Sequence, residues 1–260
     1  MLPSVRARLR QSFQRHCAEL PVPNYKRYID SIEQILSLPG LDQVVYMVCD
    51  NLNYQILYAS DSTNLFGFAT NGEASPGPAD VARYHSLLTT DHADYSFLAD
   101  SWHLSLHDRL PQEQRVNSQA VHCGMKFSRP DGRTGRLLAV SHFVEPDANN
   151  LPRIVLVIMQ DVAHLIKGDH YWMRATFGEQ NERVFCYLSH QREALEIDIL
   201  SVREKEVLRC LHKGKDSKEI AQQLGITVET VQKHRRNMLA RTGARDTTAL
   251  LQLAIWCSLL

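Results

Sequence analysis

The chain has 260 residues, of which 44% are hydrophobic and 22% charged, and its 29 basic residues are balanced by 29 acidic ones. This length favours two domains, and the composition is that of a globular protein rather than a fibrous, disordered or membrane protein. The N-terminal arginines precede no apolar stretch, and the longest apolar run, LLQLAIWCSLL, has about half the length of a membrane span. We therefore expect a soluble, cytoplasmic protein.

Six cysteines are spread along the chain without a CxxC pair, a pattern typical of buried, reduced thiols rather than of a disulfide framework or a metal site. They are Cys17, Cys49, Cys123, Cys186, Cys210 and Cys257.

The first two-thirds of the chain contains predicted helices and strands in a defined order. Residues 1–38, with NYKRYIDSIEQILSL, are expected to form a helical lead-in. VVYMVCD and QILYAS then form a predicted hairpin around NLN, DSTNLFGF a short helix, and a polar, helix-prone stretch runs from PADVARYHSLL to LPQEQR. Three strands follow, AVHCGMKFSR, RLLAVSHFVEP and RIVLVIMQD, joined by the turn-forming segments PDGRTG and DANNLP. This order predicts an antiparallel five-stranded sheet of α+β type.

This arrangement over residues 39–166 resembles the PAS fold, a sensory domain. YASDSTNLFGF is similar to the stretch in which PAS domains leave their second strand, and SRPDGRTGRLLAVSHFV with RIVLVIMQDVAHL is similar to their last three strands. Other α+β sensor domains, such as GAF, are the competing interpretation. PAS domains hold haem, flavin or a metabolite, or mediate protein contacts, so the resemblance implies a domain that senses a ligand, a cofactor state or a partner.

The sequence assigns no cofactor to this domain. The reactive cysteine motif Asn-Cys-Arg of flavin photoreceptors does not occur. His103 and His107 are four residues apart in HLSLH and would share a helix face, but no third ligand stands in a fixed register, so we predict core or surface histidines and no metal site. The candidate axial ligands for a haem are His85, His92, His103, His107, His122 and His142.

Residues 167–196 are expected to form a linker to a second domain at 197–260. In the linker, HYWMRATFGEQNERVFCYLSH has the pattern of one more hairpin with GEQNE as its turn. QREALEIDI then leads into the second domain.

Residues 197–260 carry the start and stop signals of four helices. SVRE at 201–204 and DSKE at 216–219 have the spacing of capping boxes, while Thr227 and Asp246 suit the N-caps of a third and a fourth helix. The third helix is expected to end at about Thr242 and the fourth to reach the chain end. The first three helices are followed by glycines, Gly214, Gly225 and Gly243. Short turns between four helices predict a compact all-α domain.

The third of these helices has an apolar stripe and an opposite polar face. The stripe contains Val228, Val231, Met238 and Leu239. The opposite side contains Glu229, Lys233, Arg236, Asn237 and Ala240, flanked by Thr230 and Gln232. Arg235 falls inside the stripe's arc, so we expect it to extend to the edge of the helix or to a phosphate. A glycine turn followed by a helix with such a polar face is typical of a helix-turn-helix that reads DNA.

The segment LSVREKEVLRCLHKGKDSKEIAQQLGITVETVQKHRRNMLARTGARDTTALLQLA resembles the LuxR-type helix-turn-helix domain along nearly its full length. It departs at Ser217, where the family often has Asn, and in ARTGARD, where the family more often has Lys-Leu-Gly-Val. The resemblance implies that Gln232, Lys233 and Arg236 lie nearest the bases, with Lys218, Thr230 and Asn237 near phosphates. The full set of predicted DNA-binding residues is Ser217, Lys218, Thr230, Gln232, Lys233, Arg235, Arg236 and Asn237.

The last helix of the family commonly pairs two subunits, and this one has more apolar side chains than one small core needs. Leu250, Leu253 and Trp256 are the predicted homodimer contacts, and packing within the chain is the alternative.

These features predict a transcriptional regulator with a sensor domain. From Leu200 to Leu260 there are 11 Lys and Arg against 6 Asp and Glu, which leaves 18 against 23 for the rest of the chain, so the polyanion-facing part is the C-terminal one. Double-stranded DNA is the expected partner, and RNA polymerase is a further candidate. The alternative is a protein-interaction module with only auxiliary DNA binding. The sequence contains no P-loop, GxSxG, HExxH or dinucleotide fingerprint, so we expect no enzyme.

Overall fold

The computed structural model describes residues 30, 44–51, 55–60, 65–66, 88–89, 102–103, 105–146, 148–189 and 193–260. The predicted lead-in helix over 1–38 lies outside these ranges apart from residue 30, and so does most of the predicted helix DSTNLFGF. His85 and His92 also lie outside them. In the helix-prone stretch, residues 102–103 and 105–109 are helical, and a short 3-10 helix follows at Gln112–Gln114.

One antiparallel sheet of eight strands forms the body of the described N-terminal part. The strands are β1 (Val45–Asp50), β2 (Gln55–Ser60), β3 (Gln119–Ser128), β4 (Thr134–Pro146), β5 (Pro152–Asp161), β6 (Trp172–Phe177), β7 (Arg183–Leu188) and β8 (Glu193–Leu195). Their order across the sheet is β2-β1-β5-β4-β3-β6-β7-β8.

The five predicted strands are present as β1 to β5, but the prediction of a five-stranded sheet is wrong. The hairpin expected after residue 167 forms β6 and β7, and β6 pairs with β3 from Gln119↔Thr176 to Cys123↔Trp172. The free edge of a strand carries unpaired backbone groups that attract a further strand. The hairpin satisfies the edge of β3 in this way, and the sheet continues through β7 to β8.

The two faces of the sheet pack against different partners, because alternate side chains of a strand point to opposite sides. On one face Met125, Phe127 and Leu137 belong to a core with Phe66 and Met159. The other face contributes to a core that it shares with the C-terminal helices. The strand residues of that second core are Val121, Cys123, Leu138, Val140, Trp172, Cys186 and Leu188.

Four helices follow the sheet: α1 (Val202–His212), α2 (Ser217–Leu224), α3 (Val228–Thr242) and α4 (Thr247–Trp256). Both predicted capping boxes are present, at Ser201 with Glu204 and at Asp216 with Glu219. Thr227 caps α3 and Asp246 caps α4, as predicted, although α4 ends at Trp256 rather than at the last residue.

The cysteines within the described ranges are free thiols. Cys123 and Cys257 are fully buried where the sheet meets the helices, and their mutual hydrogen bond together with burial raises the pKa of Cys123. Burial likewise raises the pKa of Cys186 to about 12. Thiols of this kind are protonated at neutral pH and chemically inert.

No helix in the described ranges combines the length and the apolar character that crossing a bilayer would require.

Candidate nucleic-acid interface

The turn between α2 and α3 is defined by its caps. The Asp216 carboxylate accepts hydrogen bonds from the backbone N–H groups of Lys218 at 2.8 Å and Glu219 at 2.9 Å, and these bonds lower the pKa of Asp216. At the other end of α2, Gly225 adopts a left-handed conformation with φ of 63°. This reversal lets the N–H of Ile226 donate to the carbonyl of Ala221 at 3.0 Å, which closes the helix before α3 begins.

α3 is the helix that the sequence pattern assigns to DNA reading, and its two faces differ as predicted. Val231 and Met238 are fully buried. Gln232, Lys233 and Arg236 are exposed on the other side, where their donors point away from the core of the domain. The 3.6-residue period therefore turns three long polar side chains outward on one rigid element.

The other predicted contact residues surround this face. Lys218 is exposed near the N-terminus of α2, while Ser217, Thr230 and Asn237 are half-buried. The hydroxyl groups of Thr227 and Thr230 are 3.1 Å apart at the start of α3. The exposed cation of Lys218 and the partial positive charge of a helix N-terminus both favour an anion nearby.

Arg235 is engaged within the domain. Its guanidinium Nη1 donates to the Ser217 hydroxyl at 3.0 Å, and its Nη2 donates to the Thr247 hydroxyl at 2.9 Å. Ser217 and Thr247 are the first residues of α2 and α4, so Arg235 ties the N-termini of both helices to the middle of α3. This explains why a charged side chain lies within the arc of the apolar stripe.

A buried carboxylate fixes α3 to α1. Glu204 accepts hydrogen bonds from the Ser201 N–H at 2.8 Å and from the Arg241 guanidinium at 2.7 Å. On the same helix, Arg203 donates to the carbonyl of Leu224 at 2.6 Å, at the last residue of α2. The capping box indicated the local role of Glu204, but no short-range signal could have indicated its bond to Arg241, 37 residues away.

The predicted dimer residues on α4 differ in exposure. Leu250 and Leu253 are fully buried within the chain, because they pack in the core that the helices share with the sheet. Trp256 is 37% exposed, and its neighbours Ile255 and Leu260 are exposed by 53% and 37%. The large apolar side chains of α4 that are exposed, Ile255 and Trp256, are therefore at its C-terminal end.

Three of the candidate histidines lie together in the sheet domain. His103 and His107 face Phe143 and Phe177, with ring centroids 4.8 to 5.7 Å apart, and neither His103 Nε2 nor either His107 nitrogen has a hydrogen-bond partner. Burial is the main cause that lowers the pKa of His107 to about 3 and that of His122 to about 4.

The pKa of His103 is also lowered well below its usual value, by burial first and then by the neighbouring His107 and His122. His142, on β4, lies at the surface, and partial desolvation of its imidazole ring lowers its pKa as well. No group of three potential metal ligands occurs among the described residues. The predicted sharing of a face by His103 and His107 is confirmed by the 5.1 Å between their ring centroids.

Residues 198–254 match the family model described as "Bacterial regulatory proteins, luxR family". The C-terminal part of the chain is therefore a LuxR-type helix-turn-helix domain. Transcriptional regulatory protein MctR of Rhizobium johnstonii is 36% identical over 72 residues, which are 28% of this chain and 34% of the relative. Oxygen regulatory protein NreC of Staphylococcus aureus is 36% identical over 93 residues, 34% of this chain and 42% of the relative. The chain thus spans less than half the length of these curated relatives.

Two similar solved structures extend over most of the chain. A ligand and DNA complex of VqmA from Vibrio cholerae has 19% sequence identity and a TM-score of 0.27, covering 88% of this chain and 87% of that one. The phage VqmA–DPO complex has 16% identity and a TM-score of 0.32, covering 89% and 90%. TM-scores of this size do not establish a common fold.

Proposed function

We propose that the chain is a sequence-specific DNA-binding transcriptional regulator whose N-terminal domain senses a ligand, a cofactor state or a partner. The observation that carries the DNA-binding part is the outward face of α3, with Gln232, Lys233 and Arg236 exposed opposite a stripe in which Val231 and Met238 are fully buried and Val228 and Leu239 are half-buried. Side chains of these types donate in pairs to base edges in the major groove, which is wide enough for one helix. The match of residues 198–254 to the luxR family supports the same assignment.

In this proposal the contacts divide into base readers and phosphate contacts. Gln232, Lys233 and Arg236 are assigned to the bases, and Lys218, Thr230 and Asn237 to the phosphates of the DNA. Ser217 and Arg235 complete the predicted set, with Arg235 acting through the bond that fixes Ser217 at the start of α2.

We assign residues 39–166 to a PAS-like sensor domain, which follows the helical lead-in at 1–38. Residues 167–196 are assigned to the connecting hairpin, and residues 197–260 to the DNA-binding domain. The support is the order of β1 to β5, two strands followed after a long interval by three antiparallel ones, which the PAS resemblance implies. The unpartnered nitrogens, Nε2 of His103 and both nitrogens of His107, mark the part of this domain where a buried polar ligand would find hydrogen bonds.

We propose a cytoplasmic homodimer that binds two half-sites of duplex DNA, with RNA polymerase as a further partner. The exposed surface at the end of α4, formed by Ile255, Trp256 and Leu260, is the proposed contact between subunits. Leu250 and Leu253 would then support this surface from beneath.

Selection from a random pool of duplex DNA, followed by gel-shift titration, tests the proposal. A good bidentate contact to guanine is worth about 1–3 kcal/mol of discrimination, so Arg236→Ala should lower affinity for the selected sequence about 5- to 150-fold and affinity for random DNA far less. Arg209→Ala is the matched control, since Arg209 is an exposed arginine on α1. Equal losses for selected and random DNA would instead favour a protein-interaction module with auxiliary DNA binding.

A further inference from the structure

The C-terminal end of α3 is hydrogen-bonded to the sheet. Trp172 is buried on β6, and its indole Nε1 donates to the backbone carbonyl of Thr242, the last residue of α3, at 3.1 Å. The last carbonyls of a helix have no partner within the helix, and a buried indole N–H needs an acceptor. Each group therefore satisfies the other across the contact between the sheet and the helices.

A second attachment uses only the backbone. The segment 162–168, here called the anchor segment, follows β5 and precedes β6. Its Lys167 N–H donates to the carbonyl of Gly243 at 2.7 Å, and the N–H of Arg245 donates back to its Leu165 carbonyl at 2.9 Å. Together they form an antiparallel bridge in which Ile166 is paired with Ala244. The residues that directly follow α3, Gly243 to Arg245, are thus paired in the manner of a short strand.

The anchor segment is itself fixed to the sheet by Arg136 of β4. The guanidinium of Arg136, which is buried, donates to the carbonyl of Gly124 at 2.7 Å and also to the carbonyl of Gly168. At the other end of the segment, the N–H of Val162 donates to the Arg136 carbonyl at 2.7 Å. A single residue of the sheet, Arg136, is therefore hydrogen-bonded to both ends of the anchor segment, and the anchor segment pairs with the residues that follow α3.

These contacts leave the DNA-reading face of α3 uncovered. Thr242, Gly243 and Ala244 are buried in the contact, whereas Gln232 and Arg236 are exposed. The sheet therefore constrains the direction of α3 without competing with DNA for its polar face.

We propose that the anchor segment and Trp172 position α3, so that the sensor domain sets the direction and spacing at which the two reading helices of a dimer are presented to DNA. This inference rests on the proposed function. Gln232 lies ten residues before Thr242, about 15 Å along a helix. A tilt of about 10° at the anchored end would move Gln232 by about 2.5 Å, which is more than a hydrogen bond to a base tolerates.

Fixed direction matters most when two half-sites are read together. A dimer contacts half-sites at a set separation, and a freely pivoting helical domain would accept several separations. We therefore expect the anchor to contribute to discrimination between operator spacings and to leave binding to a single half-site nearly unchanged.

The experiment uses the full chain and an operator selected by the wild-type protein from random duplex DNA. Lys167→Pro removes the backbone donor to Gly243, while Lys167→Ala keeps that donor and removes the same exposed side chain. Trp172→Phe removes the indole N–H and keeps a buried ring. Affinity is measured for the selected operator, for operators with one base pair added or deleted at the centre, and for an isolated half-site. Hydrogen exchange of the Arg245 amide reports whether the anchor is closed.

We expect Lys167→Pro and Trp172→Phe to accelerate exchange of the Arg245 amide and to reduce the preference for the selected spacing about fivefold, the effect of one lost hydrogen bond of about 1 kcal/mol. Lys167→Ala should match the wild type in both respects. Spacing preference that stays unchanged while exchange accelerates would overturn the inference and leave the proposed function intact. A wild-type protein that selects no sequence would overturn both.

Discussion

Glu204 offers a sharp test of how the helical domain is held together. Its carboxylate accepts hydrogen bonds from the Ser201 N–H and hydroxyl, each at 2.8 Å, and from Arg241 at 2.7 Å, and its side chain is 2% exposed. Glu204→Ala removes all three bonds at once. We expect the helical domain to lose most of the stability that joins α1 to α3.

The magnitude follows from the two parts of this site. Loss of a capping interaction costs about 1 kcal/mol, and breaking a buried ion pair costs about 3–5 kcal/mol. Arg241 is 42% exposed and can turn to water, so the loss of its bond costs less than this range, about 2 kcal/mol, and with the cap we expect a total loss of about 3 kcal/mol. Glu204→Gln keeps an acceptor for the Ser201 N–H and should lose about half as much.

Urea unfolding followed by far-ultraviolet circular dichroism measures these losses. Glu206→Ala is the control on the same helix, because Glu206 pairs with Arg203 at the surface and such pairs contribute about 0–1 kcal/mol. Equal losses for Glu204→Ala and Glu206→Ala would refute the view that the buried carboxylate joins the two helices.

Three further outcomes are expected. Lys218→Ala should weaken binding to selected and random DNA alike and reduce the salt slope of the affinity by about one unit, as titrations over a salt series would show. Trp256→Glu should weaken self-association in sedimentation velocity, whereas Gln252→Glu, also exposed on α4, should not; an unchanged dimer in the first variant would exclude this surface. The pKa is about 3 for His107 and about 4 for His122 in the folded chain, against about 6.5 when unfolded, so the unfolded state binds more protons at acid pH. The contribution of these histidines to the free energy of unfolding should be complete above about pH 6.5 and lower by about 2 kcal/mol per histidine at pH 5. The urea midpoint of His107→Phe should therefore fall less between pH 7 and pH 5 than that of the wild type.

The sequence predicts best what depends on neighbours along the chain. The caps at Ser201, Asp216 and Thr227 and the phase of α3 are local properties, because side-chain hydrogen bonds and the 3.6-residue period act within one or two turns. The strands β1 to β5 were predictable from runs of apolar residues between turn formers for the same reason.

What the sequence could not predict are contacts between distant segments. The extension of the sheet beyond five strands depends on which edge the hairpin after residue 167 chooses, and the bond between Trp172 and Thr242 joins residues 70 positions apart. Leu253 shows the same limit on α4. An apolar side chain on a helix looks the same in sequence whether it meets a second subunit or its own sheet, and here it meets its own core.

The contact at Gly243 also bears on how this chain could be recombined with others. The family match begins at residue 198, but the helices share one continuous core with Val121, Trp172 and Leu188 of the sheet. A chimera joined at residue 198 would place the helices on a foreign sensor domain. The helices would then lack the sheet surface that buries Cys257. The transferable unit of this protein therefore includes the sheet beneath its helices, and transfer of the helices alone is expected to expose the apolar surface that the sheet covers.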